Sequence, residues 1–226
     1  MTSASSLEWV TSISTALAVA VALGGYGFLE WQRRQTLILA RRTSAHMIGM
    51  RLFRILNHSC DFARHFSSYS ENDRSKNGNH LLPEVHPLIG VTFDPMVRLD
   101  ANEIALLIEA HEAAFLSELL LAGSVYESLV ISLNEYRDRY ETTYRMIPPP
   151  VSMDGKIAAH ELSTDEFLKL RPFAVQLSDL IGALRKMTAE NVERCKKLSA
   201  QYHPIMKKRF KGEKFISFKD IEPPSF

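Results

Sequence analysis

Residues 9–29 contain no charged side chain, and Glu8 and Glu30 bracket them. Few structures accommodate such a run. At about 1.5 Å per residue, a helix of this length just crosses a hydrocarbon core of roughly 30 Å. Trp9, Tyr26 and Trp31 fall near its ends, where amphipathic rings favour the lipid–water boundary. Thr11, Ser12, Ser14 and Thr15 dilute the apolar character, but a helix satisfies small hydroxyls on its own carbonyls. A cleaved leader carries positive charge ahead of its apolar part, and here only Glu8 precedes it. The positive charge follows, at Arg33, Arg34, Arg41 and Arg42. These arginines are expected on the cytoplasmic side, against lipid headgroups, with a short N-terminus (1–8) outside. The sequence therefore predicts a retained single-pass transmembrane helix over 9–29, with nearly the whole chain in the cytoplasm. Ala16, Ala20 and Gly24 recur four apart within it. That spacing lets two helices approach closely in lipid and would suit a homo-oligomer, although alanine is also simply common in membrane helices.

What remains beyond the anchor suffices for one domain of ordinary size, and a hydrophobic fraction of 46% supports a core. A net charge of +1 gives no global signature of a polyanionic partner. Cys60 and Cys195 lie far apart in sequence without a CxxC motif. They read as free thiols in a reducing compartment, with a single disulfide between them as the alternative. The near-neutral total hides segregation. Residues 31–66 hold seven arginines and one acid, 100–135 hold seven acids and no Lys or Arg, and 196–214 hold seven basic residues and one acid. The arginines beyond Met47 are expected to complement the acidic helix within the fold.

Apolar residues at helical spacing (Ile48, Leu52, Ile55, Leu56, Phe62, Phe66) and the absence of proline predict a basic juxtamembrane helix over 30–66, running on from the span. Residues 67–99 are polar and then proline-bearing, which predicts a loop with a short extended piece at 88–93. Asp100 and Glu103 have the spacing of a capping box, and no proline follows until "IPPP". One long helix is expected over 100–146, its apolar seam taking in His111. Residues 147–162 form a proline-rich linker. Ser163 and Glu166 make a second capping box, opening a helix over 163–205 with a kink near Pro172, an end at Pro204 and Asn191 in its seam. Residues 206–226 form a basic, flexible tail whose "KFISF" could add as a strand to a partner. The expected fold class is all-α: a single N-terminal transmembrane helix, then an elongated three-helix bundle built on an antiparallel, coiled-coil-like hairpin.

Catalytic sets are missing from the sequence. "DGKI" puts Ile157 where a phosphate loop needs Ser or Thr, and "HEAAF" puts Phe115 where a zinc-protease helix needs its second histidine. No histidine has the glutamate three residues before it that di-iron bundles use. His58, Asp61 and His65 share one helix face and are the single candidate metal set, of zinc type. The plainer reading is a solvated or interface patch near a helix end, where cationic histidine suits the dipole. His111 reads as a satisfied core histidine, with pH sensing as the alternative. Asn191 reads as a polar seam residue that fixes register or partner choice. Tyr136, Tyr140 and Tyr144 read as packing rather than as a nucleotide-stacking platform. The Lys/Phe-rich stretch near the C-terminus lacks a recognition motif, so nucleic-acid binding is not expected. No cofactor is expected.

Together these features predict a membrane-anchored helical interaction or scaffold protein. It would act through helix–helix assembly, with membrane lipid and a protein partner whose identity the sequence does not carry. One alternative is a membrane-bound sensor or signal transducer working through a continuous 9–66 helix, with Pro172 and His111 as switch elements. Others are a metal-dependent enzyme using His58, Asp61 and His65, and a pore formed by an oligomer of the span.

Overall fold

The computed structural model describes residues 3–67, 82–83, 85–154, 157–216 and 218, with side chains for all of these except 3–16 and 152–159. The protein is all-α. Helix α1 spans Ser3–Ser67, α2 Ala101–Glu109, α3 Ala113–Arg145 and α4 Thr164–Arg209. A 3-10 turn at Pro95–Val97 precedes α2. The α3–α4 connection contains a short antiparallel ribbon of β1 (Ser152–Asp154) and β2 (Ile157–Ala159), with Met153 opposite Ala158. The chain divides into two compact units, Met1–Ala45 and His46–Phe226.

The first unit is the N-terminal part of α1. From residue 17 to residue 29 every side chain is exposed. Among the described side chains, polar contacts begin after this stretch. Arg34 Nε donates to Glu30 at 3.1 Å, and the Thr36 and Thr43 hydroxyls donate to carbonyls of their own helix.

The second unit is a helical bundle. The α1 residues that point inward follow the helical period: Ile48, Leu52, Ile55, Cys60 and Phe66 are buried. Burying each such side chain stabilises by about 1.5–3 kcal/mol relative to exposure. Contacts between α1 and α4 run in opposite chain directions, from Tyr202 beside Gly49, through Asn191 on Ser59, to Arg185 on the Phe66 carbonyl. Those between α3 and α4 also run antiparallel, with Glu118 on Arg194 and Ala122 on Asn191. Tyr126 of α3 stacks on His58 and Phe62 of α1. Both capping boxes read from the sequence are present, at Asp100–Glu103 and Ser163–Glu166. The Ser163 hydroxyl and backbone N–H hold the Glu166 carboxyl below its usual value.

Several expectations are corrected. The helix expected over 100–146 breaks at residues 110–112. Glu112 N–H donates to Leu107 O and His111 N–H to Ile108 O, both at 3.0 Å, which is the bond pair of a Schellman motif. His111 occupies its left-handed position at φ 58°, a place usually taken by glycine. It is exposed and is not a seam residue. In α4 the helix runs on through Pro172 and ends at Arg209, beyond the end expected at Pro204. Both prolines face outward, and the carbonyls they leave unbonded belong to exposed Leu168 and Ala200, where water can replace the lost donor. Buried Leu170 and Leu177, and Tyr202 and Met206, hold the helix together on the inner side.

The C-terminal tail is also more ordered than a flexible one. Gly212 (φ 87°) turns the chain, and Phe215 is buried against His46, Tyr202 and Phe210. Residues 219–226 lie outside the described residues. The extended piece expected at 88–93 forms no strand. That segment belongs to a strap, residues 85–100, held by bonds from dispersed side chains. Tyr136 donates to Val85 O at 2.6 Å, Asn134 to Val91 O at 3.1 Å and Arg51 to Met96 O at 2.8 Å. A further contact joins His65 Nε2 to His86 O at 2.9 Å. The polar stretch at 68–81 lies outside the described residues.

Candidate functional site

Two features of the molecule are candidates for function: the uncovered stretch of α1 and the polar junctions within the bundle. In the first, Leu17, Val21, Leu23, Phe28 and Leu29 are each more than half exposed. They fall on all sides of the helix, so the stretch has no polar face to turn to water. Tyr26 is 71% and Trp31 56% exposed, and Trp31 packs on Phe28 with ring centres 5.9 Å apart. Ala20 is exposed, and a Cβ added at Gly24 would meet nothing within 4 Å. The side chains of Trp9 and Ala16 lie outside the described set. Arg33, Arg34, Arg41 and Arg42 are all exposed.

The main junction of the bundle is Arg51. It follows Ile48 by three residues and precedes Ile55 by four, so it sits on the buried face of α1. Its Nε lies 2.7 Å from the carboxylate of Glu103, which is fully buried, and its Nη1 donates to Met96 O. The same Glu103 carboxylate accepts the Asp100 N–H at 2.8 Å. One ion pair thus ties α1 to the strap and to the cap of α2. A second junction surrounds Asp94. Arg54 donates to it at 2.6 Å, His58 Nε2 lies 3.4 Å away, and Met96 N–H donates at 2.9 Å. Partial burial pulls the Asp94 carboxyl up, but the bonds from Arg54, Met96 and His58 outweigh it and hold the carboxyl below its usual value.

The sequence-derived metal set does not assemble. His58 stacks on Tyr126 and faces Asp94, Asp61 pairs with Arg64 at 2.8 Å, and His65 reaches the His86 carbonyl. Among the described residues no three His, Cys, Asp or Glu side chains gather as a metal site. Asn191 is fully buried where α1, α3 and α4 meet, donating to Ser59 Oγ at 3.1 Å and more weakly to Ala122 O at 3.4 Å. Its Oδ1 has no partner, and neither does the buried Thr188 hydroxyl one turn away. Cys60 and Cys195 are both buried and free. Burial pushes the Cys195 thiol up to about 12, which keeps it protonated and unreactive. Tyr136 packs in the core, while Tyr140 and Tyr144 continue the stripe outward, stacked with centres 6.5 Å apart.

A groove of about 610 Å³ runs between α3 and α4, lined by Glu118, Glu193, Arg194 and Lys197 among others. Within it Arg194 pairs with Glu118 at 3.2 Å, while Glu193 pairs with Lys196, which lies outside the lining.

Among the described residues, α3 is the one helix long and apolar enough by composition to cross a membrane. Phe115, Leu119, Tyr126, Leu129 and Leu133 of α3 are buried, while Glu118 and Glu127 pair with Arg194 and Arg98 from other elements. That combination is what the core helix of a bundle needs. The run at 9–29 begins among residues whose side chains lie outside the described set. No protein-family model, curated protein or solved structure matches this chain.

Proposed function

We propose that the protein is a membrane-anchored scaffold. In this reading the N-terminal part of α1 is a single-pass transmembrane helix, and a three-helix bundle built on the antiparallel α3–α4 hairpin offers its surface to a protein partner in the cytoplasm. The observation that carries the reading is the stretch at 17–29, uncharged and exposed on every side of its helix. Such a surface is stable in lipid and a liability in water. The arginines at 33, 34, 41 and 42 support a cytoplasmic bundle by the positive-inside rule. The open face at Ala20 and Gly24, continued by Ala16 in sequence, supports pairing of two spans.

The test is a C-terminal tag on the full chain in sealed, right-side-out membrane vesicles, with alkaline carbonate extraction in parallel. The expected outcome is a chain that resists extraction and a tag that resists protease until detergent opens the vesicles. Release by carbonate would remove the anchor, and digestion in sealed vesicles would reverse the orientation. A second reading, a signal transducer, draws on the unbroken helicity of α1 from Ser3 to Ser67, since such a helix can carry rotation or translation along its length. Inserting residues near 40–44 to rotate the register separates the two. A scaffold keeps partner binding, whereas a transducer changes its output with each rotation.

A further inference from the structure

We propose that the last turn of α4 and the folded-back tail form a docking surface for anionic phospholipid headgroups, a second membrane contact that rests on the anchor reading above. The bundle neutralises many of its own arginines on other elements: Arg51, Arg54, Arg98, Arg194 and Arg209 each pair with an acid from elsewhere in the fold. Lys207, Lys208, Lys211 and Lys214 are different. All four are exposed, and among the described residues none is paired with an acid. Of the described acids at this end, Glu109 is held by Arg209 at 3.1 Å, and Glu112 and Glu213 stand against the four lysines, which leaves the described surplus positive.

The position of this cluster follows from topology. Helix α4 runs antiparallel to α1, so its C-terminal turn lies at the end where α1 enters the bundle. Phe215 fixes the tail there, with its ring 4.8 Å from that of His46. The lysines are therefore displayed at the end of the bundle nearest in sequence to the proposed span. Each lysine reaching an anionic surface raises partition about fivefold.

The experiment uses the full chain reconstituted into vesicles of phosphatidylcholine alone and of phosphatidylcholine mixed with phosphatidylserine. Lysine acetylation rates are read by mass spectrometry, and co-flotation with each vesicle reads the anchor separately. The expected result is flotation with both vesicles. Labelling of Lys207, Lys208, Lys211 and Lys214 should be slowed about fivefold or more in the mixture only, restored by high salt, with exposed Lys169 and Lys186 unchanged. Flotation with both vesicles but equal labelling would overturn the lysine surface and leave the anchor standing. Salt-sensitive flotation with the mixture alone, with the four lysines protected, would support the lysine surface and overturn the anchor. Protection by single-stranded RNA and not by phosphatidylserine would overturn the proposal in favour of a nucleic-acid surface.

Discussion

Helix α1 carries two kinds of surface. Over 17–29 it is exposed on every side and uncharged, whereas over 48–66 it buries one face and commits arginines to partners on other elements. Apolar content does not separate the two parts, since both are rich in leucine, isoleucine, valine or phenylalanine. Angular distribution does. In the second part Ile48, Leu52, Ile55 and Phe62 follow a stripe, and a striped helix needs neighbours. In the first part no stripe exists, so neighbouring helices could cover only a fraction of it, while lipid would cover it all. The glycines divide in the same way. Gly24, Gly25 and Gly27 have open space around them, whereas Gly49 is filled by the ring of Tyr202.

The largest difference between the two parts should appear on removing one partner of an ion pair. Glu103→Ala leaves the Arg51 guanidinium, whose side chain is only 10% exposed, with the half-exposed Asp100 carboxylate at 3.8 Å as its nearest remaining acid. The expected loss is about 3–5 kcal/mol, read by chemical unfolding of the bundle in detergent. Glu30→Ala unpairs Arg34, whose side chain is 73% exposed, and should cost under about 1 kcal/mol. Equal effects from the two variants would mean that Arg51 is far better solvated than its burial implies.

A charge placed in the apolar stretch tests the other side of the comparison. Leu23→Arg puts a cation in the middle of the 17–29 surface, and insertion should become less favourable by about 2.5–3.5 kcal/mol. Carbonate extraction should then release most of the chain. Ile131→Arg adds the same charge at an exposed apolar position of α3 and should leave extraction unchanged. If instead Ile131→Arg released the chain and Leu23→Arg did not, α3 would be the membrane element.

The same contrast explains what the sequence revealed and what it hid. Capping boxes are local, so Asp100–Glu103 and Ser163–Glu166 were legible from spacing alone. The burial of Asn191 followed from helical period. The uncharged run is a sequence property, and the structure adds its exposure from residue 17 onward. The break before α3 was hidden because its left-handed residue is His111, where the usual signal is glycine. Pro204 misled because a proline on an outward face loses a bond that water can replace. The strap was hidden because its bonds come from His65, Asn134 and Tyr136, scattered over two helices. The Arg51–Glu103 pair had a readable sign: an arginine between Ile48 and Ile55 on an apolar face needs a buried partner. For His58, Asp61 and His65, a shared face was a poor guide, because His58 and His65 reach separate points of the strap while Asp61 pairs with Arg64 on its own helix.

A methyl group probes the two glycine environments. A Cβ at position 49 would lie 2.5 Å from the Tyr202 hydroxyl oxygen and 2.7 Å from its ring carbon Cζ. That ring is fully buried and cannot swing aside, so Gly49→Ala should destabilise the bundle by about 1–3 kcal/mol. Gly24→Ala meets nothing within 4 Å and should raise helix stability by about 0.5–1 kcal/mol. Thermal unfolding followed by circular dichroism in detergent reads both. A drop in span-to-span crosslinking for Gly24→Ala would add that the small-residue face is occupied by a second copy.

Acid should produce the smallest effect, again on one side only. The Asp94 carboxyl is held below its usual value by Arg54, Met96 and His58. A carboxyl depressed in the folded state contributes stability that is fully present above its unfolded value of about 3.9 and is lost as pH falls through the lower folded value. Arg54 stays charged throughout, so protonation of Asp94 removes the attraction and frees the strap around the 3-10 turn. Hydrogen exchange at residues 94–98, corrected for intrinsic rates, should therefore speed up below about pH 4, while amides at 17–29 keep their protection. Asp94→Asn should show the faster exchange already at neutral pH and lose the acid step. If the wild-type strap instead keeps its protection as pH falls through that range, Arg51 on Met96 and Tyr136 on Val85 hold it without help from Asp94. The polar work of the bundle would then be concentrated in its buried pair.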